Sequence, residues 1–454
     1  MVDQISDREA RAGWGWARHV LLWSVSLTTF AIGIDTTVIG VALPTIHREL
    51  PVSAWGISSV VVGYTLTFGA LMLAAGHIAD VYGRRRVFLC GAALFAVSSL
   101  ACGLAPTIPT LVVARLVQGC AAAVLNSAGL AILAQSFAGP RRQTAFRIWG
   151  AIMGASFALG PLVGGVATEY LGWRWVFLVN VPILMVCGVA VRRLVPGDGP
   201  RRDGSLDPFG QVLVVGLCAG LFLAVSAAGV IAIVGGISCA AVCSVVLLSR
   251  APGPRRVIDR GYFANAAIIV VTAVPVAFSL CFWCLLIIVP ERLGASGEVG
   301  PVRAAWSVLP LTAGLVFAAF IPIAQATHSF RRGFGIGFTG LAIGAALAAV
   351  VPSTPGVVTG MLIMGFAAGY MNPDVARSAI TLAVPERAGM AAGLTSTMRQ
   401  IGFGTGVLAL GRLGTEGSDA ARSLAPVFAT AATIAAVAAL TILSVRTLGG
   451  TPSC

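Results

Sequence analysis

Gly76-His77-Ile78-Ala79-Asp80-Val81-Tyr82-Gly83-Arg84-Arg85-Arg86 is a short charged interruption between two long apolar runs, residues 54–75 and 87–105. The glycines permit a tight turn. Asp80 can hold the arginines or cap a helix start. Three consecutive arginines suit the anionic headgroups of a membrane surface. Each flanking run has about the length that a helix needs to cross a bilayer core of ~30 Å, roughly 20 residues. The stretch therefore reads as a turn between two antiparallel membrane helices, on the face where positive charge collects.

The rest of the chain has the same character. Of its 454 residues, 57% are hydrophobic and only 10% charged, with a mean hydropathy of +0.92. Soluble domains carry about 25% charged residues. This excludes a soluble enzyme, a disordered chain and a collagen-like chain. Fourteen segments pass as spans: 19–43, 54–75, 87–105, 109–135, 147–169, 174–192, 209–227, 229–249, 265–289, 304–325, 332–351, 356–376, 388–411 and 423–445. The runs are continuous and do not alternate, so they are helices and not barrel strands.

The net charge of +13 would suggest nucleic acid in a soluble protein. Placing the charges removes that reading. All 30 basic residues are arginine; with the N-terminus inside, 22 fall on the cytoplasmic side and six outside. Arg115 and Arg399 remain within spans. The bias fixes the orientation, supports an even number of spans, and puts both termini in the cytoplasm. Residues 1–18 carry acids and arginines and read as a cytoplasmic tail, not a cleavable signal. Polar breaks then divide the chain. A six-helix bundle covers 19–194, a linker 195–208, two inserted helices 209–249, a second linker 250–264, a second six-helix bundle 265–446 and a tail 447–454. Six plus six is an organisation found in transporters built from related bundles.

Other segments carry recognisable patterns. Span one reads Ile34-Asp35-Thr36-Thr37-Val38-Ile39-Gly40-Val41-Ala42-Leu43-Pro44, and span four contains Arg115-Leu116-Val117-Gln118-Gly119. Span five carries Gly150 and Gly154, then Gly160-Pro161-Leu162-Val163-Gly164-Gly165. Span six opens Trp173-Arg174-Trp175-Val176-Phe177-Leu178-Val179-Asn180-Val181-Pro182. Span thirteen has Gly393, Arg399, Gln400, Gly402 and Gly406. With Gly76, Asp80, Gly83, Arg84 and Arg85 of the opening stretch, this set resembles the major facilitator superfamily, in its fourteen-span drug:proton antiporter branch. The resemblance covers nearly the whole chain and is densest over residues 30–185. It implies an all-α polytopic fold of two six-helix bundles plus two inserted helices. It also implies that the loop residues gate the transport cycle and that the span-five motif is an antiporter hinge.

The departures from the family pattern are specific. Val81 replaces a basic residue, and Ser396 stands where the family often has Asn. The equivalent loop of the second half, Gln325-Ala326-Thr327-His328-Ser329-Phe330-Arg331-Arg332, has lost its Gly and Asp. In span five, Gly160 and Gly164, like Gly150 and Gly154, are spaced for close helix approach, and Pro161 removes a backbone hydrogen bond. Plain helix packing would use the same residues.

Charges inside spans are costly and are functional hypotheses by default. Asp35 lies eight residues before the outer end of span one, about 12 Å deep at ~1.5 Å per residue. Arg115 lies six residues from the outer end of span four, about 9 Å deep by the same rise. Opposite charges at similar depth suggest one polar cavity, with pairing directly or through water. Burial disfavours an ionised carboxyl and a nearby arginine favours it, so movement between the two would switch protonation. A permanent ion pair holding spans one and four is the alternative. Gln118 and Asn126 continue a polar stripe on span four, and Asn180 of span six is placed to join it. Tyr64 and Phe157 are candidates for substrate contact, while Arg399 either lines the cavity or fixes the second bundle. Glu169 reads as solvated, Asp374 as interfacial, and Glu291 and Glu298 as loop residues.

Nothing in the sequence competes with transport. Most of the ten cysteines sit within apolar runs, and Cys281-x-x-Cys284 lacks flanking ligands. There is no phosphate-binding glycine loop, metal-binding helix or nucleophile turn, and so no cofactor is expected. Without an ATP site, an ion gradient should supply the energy. The expectation is a monomeric proton-coupled exporter of hydrophobic or amphipathic small molecules in a bacterial inner membrane. Its partners would be substrate, protons and lipid. An exporter of an endogenous lipid, siderophore or peptide, and a non-transporting scaffold or sensor, remain as alternatives.

Overall fold

A computed structural model describes residues 15–50, 54–197, 207–226, 230–250, 258, 262–263, 265–295, 299–320, 329–351, 353–383, 388–413 and 424–445. Most of residues 1–18, most of both linkers, the C-terminal tail, Glu298 and the Gln325–His328 part of the second-half loop lie outside the described residues.

The first half contains α1 (Trp16–Glu49), α2 (Ala54–Tyr82), α3 (Arg84–Gly103), α4 (Ile108–Ser136) and α5 (Gly139–Tyr170). Its sixth span is the pair α6 (Arg174–Leu178) and α7 (Asn180–Leu194). Next come α8 (Pro208–Ser226) and α9 (Val230–Ser249). The second half opens with α10 (Ala266–Phe278), a widened π turn (Ser279–Trp283) and α11 (Leu285–Ala295), which form one continuous span. It continues through α12 (Pro301–Trp306), α13 (Leu309–Phe320), α14 (Phe330–Val350), α15 (Thr354–Leu382), α16 (Ala388–Arg412) and α17 (Ala425–Ser444). In hydrocarbon every backbone N–H and C=O must be satisfied within the segment, and unbroken helices do this.

Among the described residues thirteen of these segments are long and apolar enough to cross a membrane. The fourteenth, α16, has the length at 25 residues, but Arg399, Gln400, Arg412 and its glycines lower its hydropathy. Hydroxyls elsewhere are hidden locally: Thr29 donates to the Val25 carbonyl, Ser98 to Leu94 and Thr395 to Ala391. Large apolar side chains such as Val97, Val113, Val186 and Leu440 stay exposed, as a lipid-facing surface requires.

Within the first half α1 packs on α5 and α7, α2 on α4, and α3 on α4. The second half repeats this with α10 on α16, α13 on α15, and α14 on α15 and α17. α8 lies against α2 and α16 beside the seam, and α9 packs on α8. The helix ends that carry Arg84–Arg86 define an arginine end of the bundle; the other is the far end. The halves meet at the far end, through α1 on α11 and α5 on α12, and along α2 on α16. One apolar core there joins Ile39, Leu43, Ile46 and Phe177 of the first half to Phe282, Leu286 and Ile288 of the second. Toward the arginine end, Leu21, Val25, Phe88, Leu125 and Leu133 belong to a separate core made of first-half residues.

Three details differ from the sequence reading. The charged stretch is not a multi-residue turn, because α2 stays helical through Gly76 to Tyr82 and only Gly83 breaks it. Gly83 has φ +99°, a conformation that needs glycine, while Gly76 sits in open helix with no neighbour near its α-carbon face. Gly150 and Gly154 likewise face open space, so they bring no helix close here; spacing alone does not say which side of a helix has a neighbour. Finally, α11 carries the ninth span on to Ala295, so Glu291 is helical.

Candidate functional site

Asp35, Arg115, Gln118 and Asn180 come from α1, α4 and α7 and meet inside the first half. Asp35 and Arg115 have no solvent exposure. Their ion pair is direct, with Arg115 Nη1 2.5 Å from Asp35 Oδ2. Asp35 Oδ1 accepts from Gln118 Nε2 at 3.1 Å and from Asn180 Nδ2 at 3.1 Å. Arg115 also donates to Gln118 Oε1 at 2.8 Å and, through Nε, to the Val60 carbonyl at 3.2 Å. Gln118 Nε2 reaches Ser99 Oγ of α3 at 2.8 Å. The Tyr64 ring lies 4.1 Å from the guanidinium carbon and the Phe177 ring 5.6 Å, cation–π contacts on a desolvated cation. Unlike serine or threonine, these side chains cannot be satisfied by their own helix turn. They therefore tie α1, α2, α3, α4 and α7 together.

The pair does not line an open cavity. It is enclosed by the first bundle, because Asp35 points toward α4 and α7. The second half instead packs against α1 at Gly40, whose α-carbon abuts Ile287. Tyr64 is fully buried beneath Arg115 and is not exposed for substrate contact. Asn126 is buried on α4, two turns beyond Gln118, and makes no hydrogen bond to the cluster among the described residues. Phe157 is half-buried at the seam, its ring 4.9 Å from that of Trp283. Ser99 and Phe177 were missed by the sequence reading. A polar residue in the apolar run of span three was the available signal for Ser99; nothing distinguished Phe177.

At the arginine end, Arg84 Nη2 pairs with Asp80 at 2.9 Å and Nη1 donates to Ala131 O and Gln135 Oε1 of α4, both at 3.3 Å. Arg85 donates to the Arg192 carbonyl of α7 at 2.5 Å. The residues after Gly83 thus link the ends of α2, α3, α4 and α7.

On α5, Gly160 lies against Thr37, Gly164 against Val38, and Gly165 against Pro301 and Ala305 of the second half. The helix is continuous through Pro161. A side chain at any of these three glycines would collide with a neighbouring helix. Glu169, exposed as expected, is nevertheless engaged: its carboxylate accepts from the Val302 N–H at 2.8 Å, across the seam at the start of α12. Glu49 holds Trp173 Nε1 and Arg174 at 2.8 Å each at the same end. Arg399 is mid-helix in α16 and donates to Asn372 Oδ1 at 3.5 Å.

A polytopic helical bundle of two pseudo-equivalent halves, with a fully buried ion pair in one and a glycine-faced seam between them, is a membrane transporter architecture. Comparison with known proteins agrees. The model of the Major Facilitator Superfamily matches residues 25–406, and the chain belongs to that family of transporters, which are not enzymes. It is 31% identical to the lincomycin resistance protein of Streptomyces lincolnensis, over 88% of this chain and 85% of the relative. It is 34% identical to a cephamycin export protein of Amycolatopsis lactamdurans, over 86% and 84%. A crystal structure of the peptide transporter POT superposes with a TM-score of 0.70 at 15% identity, covering 94% of this chain and 95% of that one, which is a likeness of fold. The protein is thus a multi-pass membrane transporter with antibiotic-resistance and export proteins among its relatives.

Proposed function

We propose that the protein exports hydrophobic or amphipathic small molecules from a bacterial cell in exchange for protons. The carrying observation is Asp35, a zero-exposure carboxylate held by Arg115, Gln118 and Asn180. A carboxylate in this position cannot lose its partner and stay charged without a large penalty. Proton arrival and separation from Arg115 are therefore coupled events. Because the cluster ties five helices together, protonation loosens the first bundle as a unit, and the bundle rocks against the second half. The names of the relatives support the substrate class, and the arginine bias supports a cytoplasmic arginine end.

In this reading the far-end seal of Gly40 on Ile287 and Gly165 on Ala305 is the closed outer gate. The Arg84 and Arg85 links at the arginine end tighten or release as the halves rock. Spans seven and eight sit beside the seam. The test uses the purified chain in proteoliposomes with an imposed pH gradient and a panel of amphipathic antibiotics. Substrate-dependent proton flux is expected. Silence across the panel, from protein shown to be folded, would contradict the proposal.

A further inference from the structure

α8 and α9 interrupt the six-plus-six plan, and α8 is built into the seam. Gln211, Val214, Cys218, Phe222 and Val225 recur at helical spacing, so they form one stripe along α8. Val214, Cys218 and Phe222 are buried there in a single core with Ala70 of α2 and with Ile401 and Leu408 of α16. α8 therefore sits in the groove where the two halves meet. Phe222 marks the crossing: its ring closes on Gly404 of α16, and Thr65 of α2 lies beside the same glycine. Val212 and Leu223, off this stripe, are exposed as a lipid-facing surface requires.

The polar ties of this helix go to different halves. Toward the arginine end, Gln211 Nε2 donates to the Ala70 carbonyl of the first half at 2.5 Å. At the far end, Arg412 Nη1 of the second half donates to the Val225 carbonyl at 2.8 Å. Gln211 Oε1 is buried without a partner. A leucine would fill that place and leave no polar atom unmet, so packing alone does not explain an amide here. The hairpin is also closed on itself. Asp207 accepts from the Gly210 N–H at 3.0 Å and holds Arg250, beyond the end of α9, through bonds of 2.7 and 2.9 Å. α9 packs on α8, so the two helices form one unit.

We infer that the inserted hairpin is a diagonal brace, tied to the first half at the arginine end and to the second half at the far end, and that it holds the far end closed. Halves that rock apart at the far end carry α16 away from α2. A straight helix bonded to both must then give up one tie or tilt out of its groove. Either course loses contacts made in the closed form, so cutting a tie shifts the population toward the far-end-open form. This rests on the two-half transporter fold and not on the exchange of a substrate for protons.

Spin-label amino acids introduced at Tyr170 and Arg303 read the far-end opening as a distance distribution, in the full-length purified protein without substrate or gradient. Gln211→Leu and Arg412→Ala should each enlarge the far-end-open component at least about threefold over wild type, the scale of one net hydrogen bond, or create that component where wild type has none. Gln211→Leu should do so with no loss of melting temperature, a combination that a merely structural amide would not give. Arg412→Lys, which keeps a donor, and Val212→Ala, on the lipid side, should retain the wild-type distribution. Unchanged distances in either tie variant, or an equal shift in Val212→Ala, overturn the inference.

Discussion

At the scale of single residues, the account rests on polar side chains that leave their own helix to find partners. Arg115→Ala would leave Asp35 buried and unpaired, which costs about 3–5 kcal/mol. Thermal unfolding in detergent should show a large loss, and Asp35→Asn combined with Arg115→Gln should recover part of it. Equal melting of the single and double variants would contradict the pairing energetics. These residues were legible in the sequence because a charge or amide in an apolar run has few bland explanations. Asn180 could be named because it was polar and near the same depth, and it bonds Asp35 at 3.1 Å. What periodicity could not convey was facing. Tyr64 looked like an aromatic available to substrate, yet it lies under a guanidinium 4.1 Å away. Asp35 and Arg115 suggested a cavity, yet the pair is sealed inside one bundle.

At the scale of elements, glycines on one helix have opposite environments. Gly160 of α5 abuts Thr37, whereas Gly150 faces open space. Gly160→Ala should therefore lower stability and transport together. Gly150→Ala should be tolerated or slightly stabilising, by up to about 1 kcal/mol from helix propensity. Melting temperatures of the two variants check this; equal damage from both would mean that the facing of α5 is wrong. The far-end clasp gives a second prediction. Glu169→Ala removes the carboxylate that accepts from Val302 N–H at 2.8 Å. Spin labels at Tyr170 and Arg303 should then report a longer and broader distance distribution, and an unchanged one would show that the clasp holds nothing. Neither the clasp nor the Gly165 contact was readable from sequence, since both join residues more than 130 positions apart with no charge complement to mark them.

At the scale of the molecule, the fold was almost wholly legible. Apolar runs define the spans and arginines punctuate them, because lipid penalises any other arrangement. The span that hydropathy alone would lose, α16, is the one that carries Arg399, Gln400 and Arg412. The arginine bias predicts that reporter fusions at the C-terminus, at Asp207 and at Arg250 will report a cytoplasmic location, with Arg174 accessible from outside. The opposite labelling pattern would invert the gate assignment. The central claim is that Asp35 couples proton movement to export. It is tested most directly by pH-gradient-driven substrate flux in proteoliposomes, with wild type and Asp35→Asn measured side by side. The account predicts that the variant loses uphill, gradient-driven flux while inserting normally and still exchanging substrate downhill. Gradient-driven flux at the wild-type rate in Asp35→Asn would contradict it.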